Sequence, residues 1–209
     1  MDNIVSLDWG VYYHFDLAGQ RDPALFDFMQ PARHLGSYAG TAVFLAAAIL
    51  LFLVRGRIRS AIVATSSMAL AVLLIECVQF LVPRRRPTNA QNWLGEGATS
   101  GSYPSSDVFL FTLAMILLGM AIWGFKPRAV WRALFLAVAA ALTVWVSLSQ
   151  FVLPLHFFSD VLGGLAGAAC VGWTAYMFMK QPTAPRQEPA LAAPADAIQD
   201  MARTHGIQG

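Results

Sequence analysis

The chain has 209 residues, of which 57% are hydrophobic and only 12% charged, with a formal net charge of +2 and a positive mean hydropathy. This balance excludes an ordinary soluble domain and points to a polytopic membrane protein. No basic tract with interleaved aromatics occurs, so nucleic acid is not expected as a partner.

Residues 1–35 carry Asp2, Asp8, Asp16, Asp22 and Asp27 against Arg21 and Arg33, interspersed with Trp9, Tyr12, Tyr13, Phe15, Phe26 and Phe28. Acidic, aromatic and moderately apolar, the segment predicts a helix lying at the bilayer interface. It lacks the basic and apolar regions of a signal peptide, so the first membrane helix is expected to direct insertion. Spanning segments follow at about 37–54 and 60–82, each long enough for a hydrocarbon core of about 30 Å. Between Pro83 and Ser106 lies a polar loop rich in Gly, Ser and Asn, of a length usually reserved for function or disorder. Further spans are predicted at about 107–125, 133–153 and 157–179. From about residue 181 the chain is rich in Pro and Ala without periodicity and reads as a disordered tail. The expectation is an all-α integral membrane protein, with an interfacial segment (1–35), a helical bundle of five spans (36–180) and the tail (181–209). Cys77 and Cys170 lie inside apolar runs and read as small core residues, with neither disulfide nor metal-ligand spacing.

Five spans put the two termini on opposite sides. Arg55, Arg57, Arg59, Lys126, Arg128, Arg132, Lys180 and Arg186 then share one side, which the positive-inside rule makes cytoplasmic. Arg84, Arg85 and Arg86 fall on the other. A bacterial inner membrane with a periplasmic site is the expected location.

The same topology brings the end of the second span (Gln79, Arg86), the start of the third (Ser105, Ser106, Asp107), the end of the fourth (Ser149, Gln150) and the start of the fifth (His156, Asp160) to the non-cytoplasmic face. Ionisable groups at such depth are costly and usually functional. Glu76, one turn before Gln79, enters the same cluster or packs as a protonated residue. His156 and Asp160, four residues apart, fall on one helix face. A carboxylate there can hold one imidazole nitrogen and leave the other as a nucleophile or base, or the pair simply caps and solvates a helix start.

The order and spacing of these residues resemble the type 2 phosphatidic acid phosphatase superfamily, integral membrane phosphatases related to vanadium-dependent haloperoxidases. Its first motif, Lys, six residues, Arg-Pro, is met here by Gln79 in the lysine place and by Arg86-Pro87. Its second, Pro-Ser-Gly-His, is met by Pro104, Ser105, Ser106 and Asp107. Its third, Ser-Arg, five residues, His, three residues, Asp, is met by Ser149, Gln150, His156 and Asp160.

The resemblance implies that His156 attacks phosphorus while Asp160 orients it, that a phosphohistidine is hydrolysed by water, and that Asp107 takes the place of the proton donor to the leaving alcohol. An aspartic acid does this only if its pKa rises from about 3.9 toward neutrality. Phosphate binding would fall to Arg86, to Ser105 and Ser106 at a helix start, and to Gln79 and Gln150, where the family has cations. Each such replacement forfeits about 1.5–3 kcal/mol of charged hydrogen bonding. Arg84 and Arg85 compensate if the loop folds back, or contact lipid headgroups.

Three readings follow. The first is a phosphatase acting on a lipid phosphate or diphosphate. The second is a family member without chemistry, a pseudoenzyme that binds lipid or serves as a structural subunit among membrane-protein partners. The third is altered chemistry, a metal held by His156, Asp160 and Asp107 or a hydrolase triad of Ser105, His156 and Asp160. The expected ligands are membrane lipids, and no cofactor or metal is expected.

Overall fold

The computed structural model describes residues 2–87 and 101–181, and these form seven helices and no strand. Helix α1 is Asp2–Arg21, α2 Pro23–Gly36, α3 Tyr38–Val54, α4 Ile58–Leu81, α5 Ser106–Trp123, α6 Ala129–Val152 and α7 Phe158–Lys180. The molecule is thus all-α, as its composition requires. Helices α4, α5, α6 and α7 are each long and apolar enough to cross a membrane, and α2 with α3 makes a fifth span if that pair, bent by 53°, is counted as one. The protein is an integral membrane protein. Loop residues 88–100 and the tail beyond Gln181, read above as disordered, lie outside the described residues.

The amino-terminal region differs from the single interfacial segment expected. Asp22 breaks it in two, because its Oδ1 accepts the Ala24 and Leu25 N–H groups at 3.0 and 3.2 Å and Pro23 fits the first helical position. Helix α3 alone has 17 residues, about 26 Å at the α-helical rise, short of the hydrocarbon core. At the bend, the Ser37 hydroxyl donates to the His34 carbonyl at 2.6 Å and accepts the Gly40 N–H at 3.3 Å, so both helix ends are satisfied by one side chain.

Helix α5 is the axis of the bundle, packed against α3, α7, α6 and α4. Its Val108, Phe109, Leu110, Phe111, Leu113, Ala114 and Leu117 are buried, which explains why it is apolar all round rather than striped. Helix α6 sits at the periphery and exposes Leu134, Leu136, Val138 and Val144, a surface suited to hydrocarbon. Cys77 and Cys170 are exposed, not core residues as expected; in a membrane the outer face is as apolar as the interior, so apolar neighbours do not signal burial. Glu76 is likewise exposed, on the outer side of α4.

One close approach sets the site. A Cβ on Gly164 would lie 2.9 Å from the Ser105 carbonyl oxygen and 3.2 Å from the Phe109 nitrogen, so only glycine lets α7 rest on the first turn of α5. There the Ser105 N–H donates to the Asp160 carbonyl at 3.0 Å.

Candidate functional site

His156 stands in the turn between α6 and α7. The Leu155 and His156 N–H groups donate to the Gln150 carbonyl at 2.9 and 3.3 Å, which ties the turn to the end of α6. His156 is 3% exposed, Asp160 and Ser102 0%. Its Nδ1 lies 2.8 Å from the Ser102 carbonyl oxygen, and its Nε2 lies 2.9 Å from Arg86 Nη1. A carbonyl only accepts and a guanidinium only donates, so the ring is neutral, with its proton on Nδ1 and a lone pair on Nε2.

Asp160 does not hold the imidazole directly, in contrast to the expectation from the four-residue spacing. Its Oδ2 is 3.7 Å from Nδ1, beyond hydrogen-bond range. Ser102 comes between them: its carbonyl accepts a hydrogen bond from Nδ1–H while its hydroxyl donates to Asp160 Oδ2 at 2.5 Å. The same Oδ2 accepts the Phe157 N–H at 2.9 Å, capping the start of α7. The other oxygen, Oδ1, accepts from Arg84 Nη1 at 2.7 Å.

Arg84 folds inward rather than meeting headgroups. It also donates through Nη2 to Asp8 Oδ2 at 2.6 Å and through Nη1 to the Ser159 hydroxyl at 2.5 Å, and its guanidinium lies over the Phe157 ring, 4.5 Å from the centroid. It thus stands on the Nδ1 side of the imidazole, its guanidinium engaged by Asp8, Asp160 and Ser159. Arg85, its neighbour, is exposed. Burial raises the Asp8 pKa, but the Arg84 hydrogen bond and the Ser159 N–H and O–H outweigh it and hold the carboxyl below its ordinary value. Burial pulls the Arg86 guanidinium below its usual value, offset in part by Asp107 and Asp160; a guanidinium stays charged regardless.

Away from this network the polar groups make fewer contacts. Asp107, in the first turn of α5, lies against the Gln150 side chain and within electrostatic reach of His156, Arg86 and Arg33. Ser105 Oγ and Gln150 Oε1 are buried without a hydrogen-bond partner among the described residues. Ser106 begins α5. Gln79 is turned aside, since its Nε2 donates to the Pro104 carbonyl at 3.2 Å and so braces the loop before α5. The Ser149 hydroxyl bonds back to the Val146 carbonyl at 2.7 Å.

The structure therefore gathers His156, Asp160, Asp107, Arg86, Ser105 and Gln150, and sets Gln79 one layer away. Sequence reasoning missed Asp8, Ser102 and Ser159. No group of three or more His, Cys, Asp or Glu among the described residues is arranged to hold a metal ion. For the triad reading, it is Ser102, not Ser105, that bridges His156 and Asp160. An apolar cleft of about 940 Å³ opens elsewhere, at the opposite end of α5, α6 and α7, where Trp123, Phe135, Tyr176, Arg57 and Lys180 line it.

Residues 60–183 match the family model described as the PAP2 superfamily. The fold is similar to the crystal structure of the first transmembrane PAP2 type phosphatidylglycerolphosphate phosphatase from Bacillus subtilis, with a TM-score of 0.76 and 20% sequence identity over 89% of this chain and 90% of that one. No curated protein matches the chain.

Proposed function

The chain belongs to the PAP2 superfamily, and from that membership we propose that it is a membrane phosphatase acting on a lipid phosphate or diphosphate through His156. The observation that carries this reading is the state of the imidazole, neutral, held at Nδ1 by Ser102 and presenting its Nε2 lone pair beside Arg86.

In the proposed reaction, Arg86 moves from Nε2 to the phosphoryl oxygens as substrate enters. Nε2 attacks phosphorus, the P–N bond forms and the P–O bond to the lipid breaks. Asp107, as a carboxylic acid, gives its proton to the leaving oxygen. A water molecule then attacks phosphorus, passes a proton back to Asp107, and the P–N bond breaks to free phosphate and the neutral ring. Throughout, the proton stays on Nδ1, donated in a hydrogen bond to the Ser102 carbonyl, and Asp160 offsets the positive charge on the phosphorylated ring. The positive-inside rule applied to the basic loops supports a site on the non-cytoplasmic face of the membrane.

The test is phosphate release by detergent-purified protein from phosphatidic acid, phosphatidylglycerolphosphate and a polyprenyl diphosphate, beside His156→Ala. A loss of at least about a thousandfold in the variant is expected for removal of a nucleophile. The engagement of Gln79 with Pro104 and of Arg86 with Nε2 favours a second reading, a lipid-binding member without turnover. Release from neither protein, with both folded, would replace the first reading by that one.

A further inference from the structure

Asp8 lies outside the residues matched by the family model, yet it is only 1% exposed and the hydrogen bonds its carboxylate accepts from Ser159 and Arg84 lead to the His156 turn. Its Oδ1 accepts the Ser159 N–H at 2.9 Å, and its Oδ2 accepts the Ser159 hydroxyl at 2.7 Å and Arg84 Nη2 at 2.6 Å. Ser159 is in the first turn of α7, where backbone N–H groups have no partner within the helix. Asp8 supplies one from another helix, and its charge suits the positive end of the α7 dipole.

A second carboxylate, Asp160, occupies the same turn. Two carboxylates this close repel, and the Arg84 fork between them turns that repulsion into a clasp: Nη2 on Asp8 and Nη1 on Asp160. The clasp fixes the Asp160 Oδ1, which leaves Oδ2 directed at the Ser102 hydroxyl and the Phe157 N–H. Ser102 is thereby held with its carbonyl on His156 Nδ1. Aromatic contacts support the docking, because Trp9 and Tyr12 of α1 lie 5.3 and 6.2 Å from the Phe157 ring, the ring beneath Arg84.

We propose that Asp8 is a positioning residue for His156: acting through Arg84 and Ser159 it sets Asp160 and Ser102, and these hold the imidazole as the Nδ1–H tautomer. The amino-terminal helix is then a working wall of the site. This deepens the proposed function and rests on His156 as its nucleophile.

The test uses full-length protein with ¹⁵N-labelled histidine in detergent, the His156 signals being assigned by their loss in His156→Ala. Asp8→Asn keeps the shape and removes the charge; Asp8→Glu restores the charge; Arg84→Lys keeps a cation but not the fork, and serves should Asp8→Asn fail to fold. Expected are a shift of the His156 ring nitrogens away from a single Nδ1–H tautomer in Asp8→Asn and Arg84→Lys, a kcat on phosphatidic acid lower by about tenfold with KM nearly unchanged, and recovery of both in Asp8→Glu. Unchanged ring signals in Asp8→Asn and Arg84→Lys would overturn the inference whatever the activity. Shifted signals in a protein that releases no phosphate would uphold the clasp and sink the phosphatase reading, so the two fail separately.

Discussion

The two sides of the His156 ring are built differently. Behind Nδ1, Ser102, Asp160, Arg84, Asp8, Ser159 and the Phe157 N–H are joined in one hydrogen-bonded chain. At Nε2 stands Arg86, with Asp107 within electrostatic reach of both, and Ser105 Oγ and Gln150 Oε1, on the neighbouring helix ends, are buried without partners among the described residues. Buried polar groups are normally satisfied, and a half-satisfied set is costly. The back is a closed network among the described residues, while the front keeps buried oxygens without partners there. Under the proposed function, stability and ligand recognition belong to opposite faces of one imidazole.

This division is open to attack from both sides. The largest stability effect should come from Asp160→Ala, which strands the Ser102 hydroxyl, the Phe157 N–H and one arm of Arg84. We expect a loss of about 3 kcal/mol, mostly from the two fully buried donors because Arg84 is partly solvated. Thermal unfolding in detergent reads it, and a loss below about 1 kcal/mol would mean that the back is not the continuous network described.

Gln150→Arg should sharpen the contrast from the front by returning a cation to the family's position, beside Asp107. Binding of inorganic phosphate, followed by ³¹P NMR, should tighten by about tenfold, the effect of one charged hydrogen bond, with little change in melting temperature. Unchanged binding would show that this position no longer faces the anion.

A smaller effect follows from acid. The folded-state pKa of Asp8 is depressed below 3.8, so the clasp contributes stability that is fully present above the unfolded carboxyl value of about 3.9 and fades as pH falls through the folded value. Between pH 6 and 3 the wild type should lose more thermal stability than Asp8→Asn, with the gap between them constant until about pH 4 to 5. Parallel curves across the whole range would place Asp8 outside the charge network. Smallest of all, Arg85→Ala should change stability by less than about 0.5 kcal/mol and leave phosphate release intact.

The membrane helices were legible because length and hydropathy alone specify a crossing: α4, α5, α6 and α7 begin and end within a few residues of the expected limits, apart from the start of α6. The third motif was legible through its spacing. Asp8 was not, being one of five acidic residues in the first 35, with nothing nearby to mark it and a partner 76 residues away. Arg84 and Arg85 are adjacent and identical in kind, yet one is clasped and the other exposed; which of them turns inward is settled by tertiary packing on Phe157, not by local sequence. Ser102 was hidden in a turn-rich loop, where serine is the ordinary residue. The Nδ1 contact to its backbone carbonyl leaves no side-chain signature at all.

The contact between Asp8 and Ser159 joins residues 151 positions apart, so the back of the ring is written at both ends of the folded bundle. While the chain is being made, α1 and Arg84 leave the ribosome long before α7 exists, and two of the three charges wait for the third. The imidazole and the carboxylate that steadies it emerge together, within one turn of each other, and only their arrival closes the network. Under the proposed function, readiness for chemistry waits for the first turn of α7, and a chain stopped at Phe157 carries Arg84 without its second counter-charge and His156 without the carboxylate that steadies its turn.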